Sequence, residues 1–122
     1  MQWGTIALNV LDPAGKIIDE RLVSRRANLQ RISLRTGCFC NPGAAEIALG
    51  VSPSVLVNAF QREERPPYEE WLKGLGTQTG GAVRVSVGLV TTFADVYYFV
   101  AFARTFLDAI PNARDLPPRQ HC

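Results

Sequence analysis

Lysine and histidine are scarce in this 122-residue chain: Lys16, Lys73 and His121 are all it has, although arginine occurs eleven times. The positive charge forms no dense tract. Arg21, Arg25, Arg26 and Arg31 lie close together, but Asp19 and Glu20 interrupt them and no aromatic residue is interleaved for base stacking, so the cluster reads as a solvated helix face and no nucleic-acid partner is expected. Long apolar runs are missing too. The uncharged run 85–94 contains Gly88, Thr91 and Thr92 and falls far short of the roughly 20 apolar residues that span a bilayer, so no membrane partner is expected. The opening Met1-Gln2-Trp3-Gly4-Thr5 lacks the basic start and apolar core of a secretory signal. With no signal and an odd number of cysteines, three, the expected setting is a reducing cytoplasm with free thiols.

Those cysteines also have few partners for a metal. Cys38, Cys40, His121 and Cys122 make the inventory of a structural zinc site, but neighbouring residues such as His121 and Cys122 rarely both reach one ion. The first pair also lacks the commoner two-residue spacer, and no metal is expected.

What is present suits one folded domain. Hydrophobic residues make up 47% of the chain, and at this length it can bury roughly two thirds of the surface it exposes when unfolded, enough for a modest core. Residues 5–11 (TIALNVL) read as a strand entering a turn at Asp12-Pro13-Ala14-Gly15. Ile18, Leu22, Arg25 or Arg26, Leu29 and Ile32 recur at helical spacing, which predicts an amphipathic helix over 19–31. Residues 32–36 then alternate as a short strand. Asn41 and Pro42 carry a helix-start signature and Gly50 a stop. Ser52 or Ser54 starts a helix near 55–62, and another is predicted over 68–75. The glycine-rich residues 74–81 have the wrong spacing for a dinucleotide loop and lead into a strand, AVRVSVG, so they read as a flexible connection.

Thr92-Phe93-Ala94-Asp95 is a capping-box variant that starts the last helix. Phe93, Val96, Tyr97, Val100, Ala103, Leu107 and Ile110 share one face and are expected to form its core side. Tyr98, Phe102 and Phe106 form a second stripe, expected to be a docking surface for another domain or subunit. The fold class implied is α+β, a two-layer sandwich with helices on one face of a small, mainly antiparallel sheet. The domain is expected over 1–110, with the Pro- and Arg-rich residues 111–122 a flexible tail.

The stretch RTGCFCNPG, residues 35–43, carries the chemistry. A Cys38 to Cys40 disulfide would close a very small ring and is expected at most as a redox event. Two buried, inert thiols are the plain alternative. The reactive reading gains from position: with Asn41 as cap, Cys40 sits just before a helix start, where free N–H groups and the dipole favour a thiolate, and Arg35 can add positive charge.

RTGCFCNPGA, followed about forty residues later by GAVRVSVGLVTTFADV, resembles the C-terminal small domain of class V pyridoxal-phosphate enzymes, the cysteine desulfurase-like group. Within it the molybdenum-cofactor sulfurases are most similar. The resemblance runs from about Thr5 to Phe106 and implies an aminotransferase small-domain fold. It implies that Cys40 takes sulfur from a cysteine substrate held on the cofactor, that Arg84 pairs with the substrate carboxylate, and that Arg35 lines the same pocket. Cys38 would relay a persulfide or simply pack.

In that family pyridoxal phosphate is held by a lysine on a large domain, and neither Lys16 nor Lys73 lies in the family's lysine motif. The cofactor is therefore expected only in a complete enzyme, not on this chain alone. The partners implied are a cofactor-binding large domain or a homo-oligomer, and a sulfur acceptor, either protein or cofactor. A stand-alone sulfur carrier or non-catalytic binding module of the same fold is the alternative.

Overall fold

Among the residues that the computed structural model describes (4–38, 47–61, 64, 66–77, 79–107 and 116–119), the chain forms three strands and four helices. They run β1 (Thr5–Leu8), α1 (Glu20–Leu29), β2 (Arg35–Cys38), α2 (Pro53–Phe60), α3 (Tyr68–Gly74), β3 (Gly81–Ser86) and α4 (Phe93–Arg104). The sheet is antiparallel in the order β1-β3-β2, so the last strand of the chain lies in the middle. This is the α+β fold with a small antiparallel sheet that the element pattern implies.

The element ends follow from local chemistry. Asp19 caps α1 by accepting from the Arg21 backbone N–H at 2.9 Å. At the other end Ile32 N–H reaches the Ala27 carbonyl at 2.9 Å and Arg31 N–H the Asn28 carbonyl at 3.0 Å, with Arg31 at φ 58° in the left-handed position usually given to glycine. Ser52, not Ser54, caps α2, with Pro53 in the first turn. Thr92 and Asp95 form the reciprocal capping box at the start of α4, with Thr92 N–H donating to Asp95 Oδ2 at 2.8 Å. Ile47 and Ala48 are helical and that turn closes at Gly50, φ 68°; the helix start read at Asn41 and Pro42 lies outside the described residues.

The core lies between the helices and one face of the sheet. Ile18, Leu22, Val23 and Ala27 from the α1 region meet Val83 of β3 and Phe102 and Phe106 of α4, with Leu8, Val85 and Phe99 packed around them. Leu29, expected in the apolar stripe of α1, is exposed instead, because Val23 and Ala27 complete the inward face.

Helix α4 corrects the expected assignment of its two stripes. Phe102 and Phe106 are 2% and 1% exposed, whereas Phe93 and Tyr97 are 84% and 67% exposed. The two buried rings pack edge to face at 5.4 Å, and the Arg26 guanidinium lies 5.2 Å from the centre of the Phe106 ring. Each such ring contributes roughly 2–3 kcal/mol by burial, which decides the rotation of the helix. Phe102 and Phe106 are thus core residues of this chain and not a surface for another, while half-exposed Tyr98 holds its hydroxyl 3.2 Å from the Gln30 carbonyl. Ile110 lies outside the described residues.

The glycine-rich connection before β3 is also packed rather than loose. Thr77 and Thr79 are buried, and Thr77 Oγ1 donates to the Thr79 carbonyl at 2.8 Å. Gly80 abuts the Tyr68 hydroxyl so closely that an added Cβ would force the Tyr68 ring to shift. Gly80 and Gly81 serve close approach, while Gly76, at φ 77° with open space around it, is called for by its backbone angle.

Candidate functional site

On β2 and β3 the register pairs Arg35 with Arg84, Thr36 with Val83, Gly37 with Ala82 and Cys38 with Gly81. Residues directly opposite in an antiparallel pair point to the same side of the sheet. Val83 faces the helices, so Arg84, Arg35, Gly37 and Ala82 belong to the opposite side, where both arginines are exposed. Ala7 of β1 pairs with Arg84 on its other flank, and its small side chain leaves room for the guanidinium.

Arg35, Thr36, Gly37, Cys38, Ala82 and Arg84 line one open cleft. Gly37 has φ 131°, a conformation that side chains rarely adopt, and a Cβ there would meet nothing, so the backbone angle rather than space calls for glycine between Arg35 and Cys38. Neither arginine forms an ion pair or a side-chain hydrogen bond among the described residues. Two like charges directly opposite on a sheet repel, and a bound anion removes that penalty. The cleft is therefore suited to a carboxylate or another small anion, which two planar guanidinium groups can grip in register.

The structure brings together Arg35, Arg84 and Cys38 of the residues singled out from the sequence. Cys40, together with His121 and Cys122, lies outside the described residues. Cys38 is disulfide-bonded, which corrects the expectation of free thiols throughout; its partner is outside the described residues. No lysine lines the cleft: Lys16 sits in the turn before α1 and Lys73 on α3, both exposed. Among the described residues no group of three or more His, Cys, Asp or Glu is placed to hold a metal ion, and no helix is long and apolar enough to cross a membrane.

A buried ionic network next to this strand pair gave no signal in the sequence. Arg119, in the segment read as tail, bonds both oxygens of Glu20 at 2.7 and 2.6 Å and Asp19 at 2.7 Å. Burial alone would raise the Asp19 carboxyl, but hydrogen bonds from the Arg21 side chain and backbone and from Arg119, with the Arg119 charge, hold it below the ordinary 3.8. Burial likewise works against the Arg119 cation, and its bonds to Glu20 and Asp19 and their charges outweigh that and raise its pKa.

No protein-family model and no solved structure matches the chain. It is similar to the molybdenum cofactor sulfurase of Homo sapiens, 38% identical over 102 residues, which are 84% of this chain and 11% of that protein. The rice sulfurase (Oryza sativa subsp. japonica) is 38% identical over 108 residues, 88% of this chain and 13% of its own length. The tomato sulfurase (Solanum lycopersicum) is 38% identical over 121 residues, 94% of this chain and 14% of its own length. The chain thus spans about one-eighth of the length of the relatives it matches.

Proposed function

The chain is homologous to one short segment of the molybdenum cofactor sulfurases, and from that premise we propose that it is a sulfurase-like fragment that supplies a sulfur-accepting cysteine and an anion clamp to a larger protein. The observation that carries this reading is the placement of Arg35 directly opposite Arg84, with Cys38 in the same cleft at the root of the cysteine loop. Arg84 and Arg35 bind the carboxylate of an amino-acid sulfur donor. Cys40 is the acceptor: its thiolate attacks the donor sulfur, a new S–S bond forms, and the donor's bond to that sulfur breaks, its electron pair leaving with the donor and then taking a proton. Sulfur is held as a persulfide until an acceptor thiol or cofactor takes it. Cys38 relays that sulfur or protects the acceptor, once its disulfide is reduced in the cytoplasmic setting that this reading includes.

Pyridoxal phosphate, implied by the resemblance to class V enzymes, does not fit this chain by itself, because no lysine lines the cleft. In this reading the cofactor belongs to the remainder of the protein. The outward face of α4 and the segment before it support such a remainder: Val87, Leu89 and Val90, then Phe93, Tyr97 and Val100, are exposed. Asp95 is the only charged residue between 87 and 101, and its carboxylate is turned back onto Thr92. An exposed face this apolar, with a single charged residue, is suited to burial against another body. It favours a fragment over a stand-alone carrier.

The test is to reduce the chain, treat it with cysteine persulfide and map the sulfane sulfur by alkylation and peptide mass spectrometry. Labelling concentrated on Cys40, with Arg35→Gln and Arg84→Gln each raising several-fold the donor concentration required, supports the proposal. Equal labelling of Cys38, Cys40 and Cys122 that ignores both substitutions sinks it.

A further inference from the structure

Residues 116–119 lie across the start of α1, and Arg119 is the buried centre of that contact. Its guanidinium grips Glu20 with both Nη atoms, while its backbone N–H donates to Glu69 Oε1 in the first turn of α3 at 3.0 Å. Arg21 Nη1 returns to the Pro117 carbonyl at 2.7 Å. The side chains of Arg119 and Glu20 are only 5% and 4% exposed, so each charge depends on the other. Among the described residues Arg119 Nε is buried without a hydrogen-bond partner, in keeping with a guanidinium whose placement is given over to the carboxylates.

The contact continues to Cys38 at the end of β2. Thr79 Oγ1 donates to Glu20 Oε2 and accepts from the Gly81 N–H at 3.0 Å. Gly81 opens β3 and pairs with Cys38, the last described residue of β2. A Cβ on Gly81 would come within 2.8 Å of Glu20 Oε1 and 2.9 Å of the Gly37 carbonyl carbon, so the carboxylate and the β2 backbone press on the same glycine. Every step from Arg119 through Glu20, Thr79 and Gly81 to Cys38 is a hydrogen bond or a strand pairing.

We propose that Arg119 is a positioning residue for Cys38 at the end of β2, with residues 116–119 acting as a strap that fixes the start of β3 and thereby the strand end paired with it. Without Arg119 the Glu20 carboxylate is a buried charge with no counterion among the described residues. Swinging toward water would pull on Thr79, whose hydroxyl is bonded to it, and through Thr79 on the Gly81 N–H. The use of this strap rests on the reading of Cys40 as a sulfur acceptor, but its geometry does not.

The experiment is hydrogen exchange on the full chain, following peptides that cover 35–38 and 79–83. Arg119→Gln is expected to speed exchange in both peptides about tenfold relative to the rest of the sheet. Phe102→Ala, which loosens the core elsewhere, serves as the control and is expected to raise exchange evenly. The neutral pair Glu20→Gln with Arg119→Gln removes the stranded charge and returns both peptides toward their original rates; it also keeps the question answerable should Arg119→Gln alone fail to fold. Exchange at 35–38 that is unchanged in Arg119→Gln, that matches the even rise of Phe102→Ala, or that is not rescued in the neutral pair overturns the proposal. None of these readouts involves sulfur, so the absence of a persulfide at Cys40 would leave the strap standing and end only the functional reading.

Discussion

Arg84, on the central strand β3, stands directly opposite Arg35 on β2, and no acidic residue pairs with either among the described residues. Removing one of them relieves the repulsion, so Arg84→Gln is expected to leave stability unchanged or raise it by about 0.2–1 kcal/mol. The same change removes half of the clamp. At constant ionic strength, L-alanine, which offers the carboxylate without a thiol, should raise the thermal midpoint of the unsubstituted chain by mass action and leave that of Arg84→Gln where it was. A midpoint that rises equally in both would separate the arginines from anion binding.

The two faces of α4 give a second expectation. Phe102→Ala and Phe106→Ala remove buried rings and should each cost about 3–5 kcal/mol in urea unfolding, a large share of the stability of a domain this size. Phe93→Ser and Tyr97→Ser touch exposed rings and should stay within about 0.5 kcal/mol of the unsubstituted chain. If the outward face docks against another body, the same two substitutions should also reduce self-association of the isolated chain in sedimentation.

Much of the fold was legible before the structure, because its signals are local. The Thr92 and Asp95 capping box, the serine cap at Ser52 and the turn at Asp12 each act within a few residues, and the helices and strands they bound appear within a few positions of where the pattern put them. The α4 stripes were not assignable in that way. Both faces of the helix are apolar, so periodicity finds two candidates, and only the partners of Phe106 in three dimensions, Phe102 and Arg26, select one. Of the site, RTG and AVR named the right strands, yet the opposition of Arg35 and Arg84 depends on β3 entering the middle of the sheet. Arg119 was out of reach of local reasoning altogether, since its partner Glu20 lies 99 residues away.

That long-range pair should be asymmetric in its energetics. Arg119→Ala leaves Glu20 buried and uncompensated and is expected to cost about 3–5 kcal/mol, measured by urea unfolding. Replacing both residues by methionine removes both desolvation penalties, and the double variant should recover most of that loss. A double variant no more stable than Arg119→Ala would mean that the hydrogen bonds to Thr79, Asp19 and Glu69 matter more than the charge itself.

Acid should act on the same corner of the molecule through Asp19. Its folded pKa lies below the ordinary 3.8, so the carboxylate is favoured in the native state, and the stability it lends is fully present above the unfolded value. As pH falls below about 4, the unfolded chain takes up the proton first, and the contribution is lost progressively as pH passes down through the folded pKa. Asp19→Asn should therefore weaken the chain at pH 7, where the bonds from Arg21 and Arg119 lose their charged acceptor, and should flatten the fall in stability below pH 4. The measurement is urea unfolding at pH 7, 5, 4 and 3 on both chains. Curves that fall in parallel over the whole range would show that Asp19 is not a carboxylate whose titration the native state resists, and that the charge gripping Arg119 is supplied by Glu20 alone.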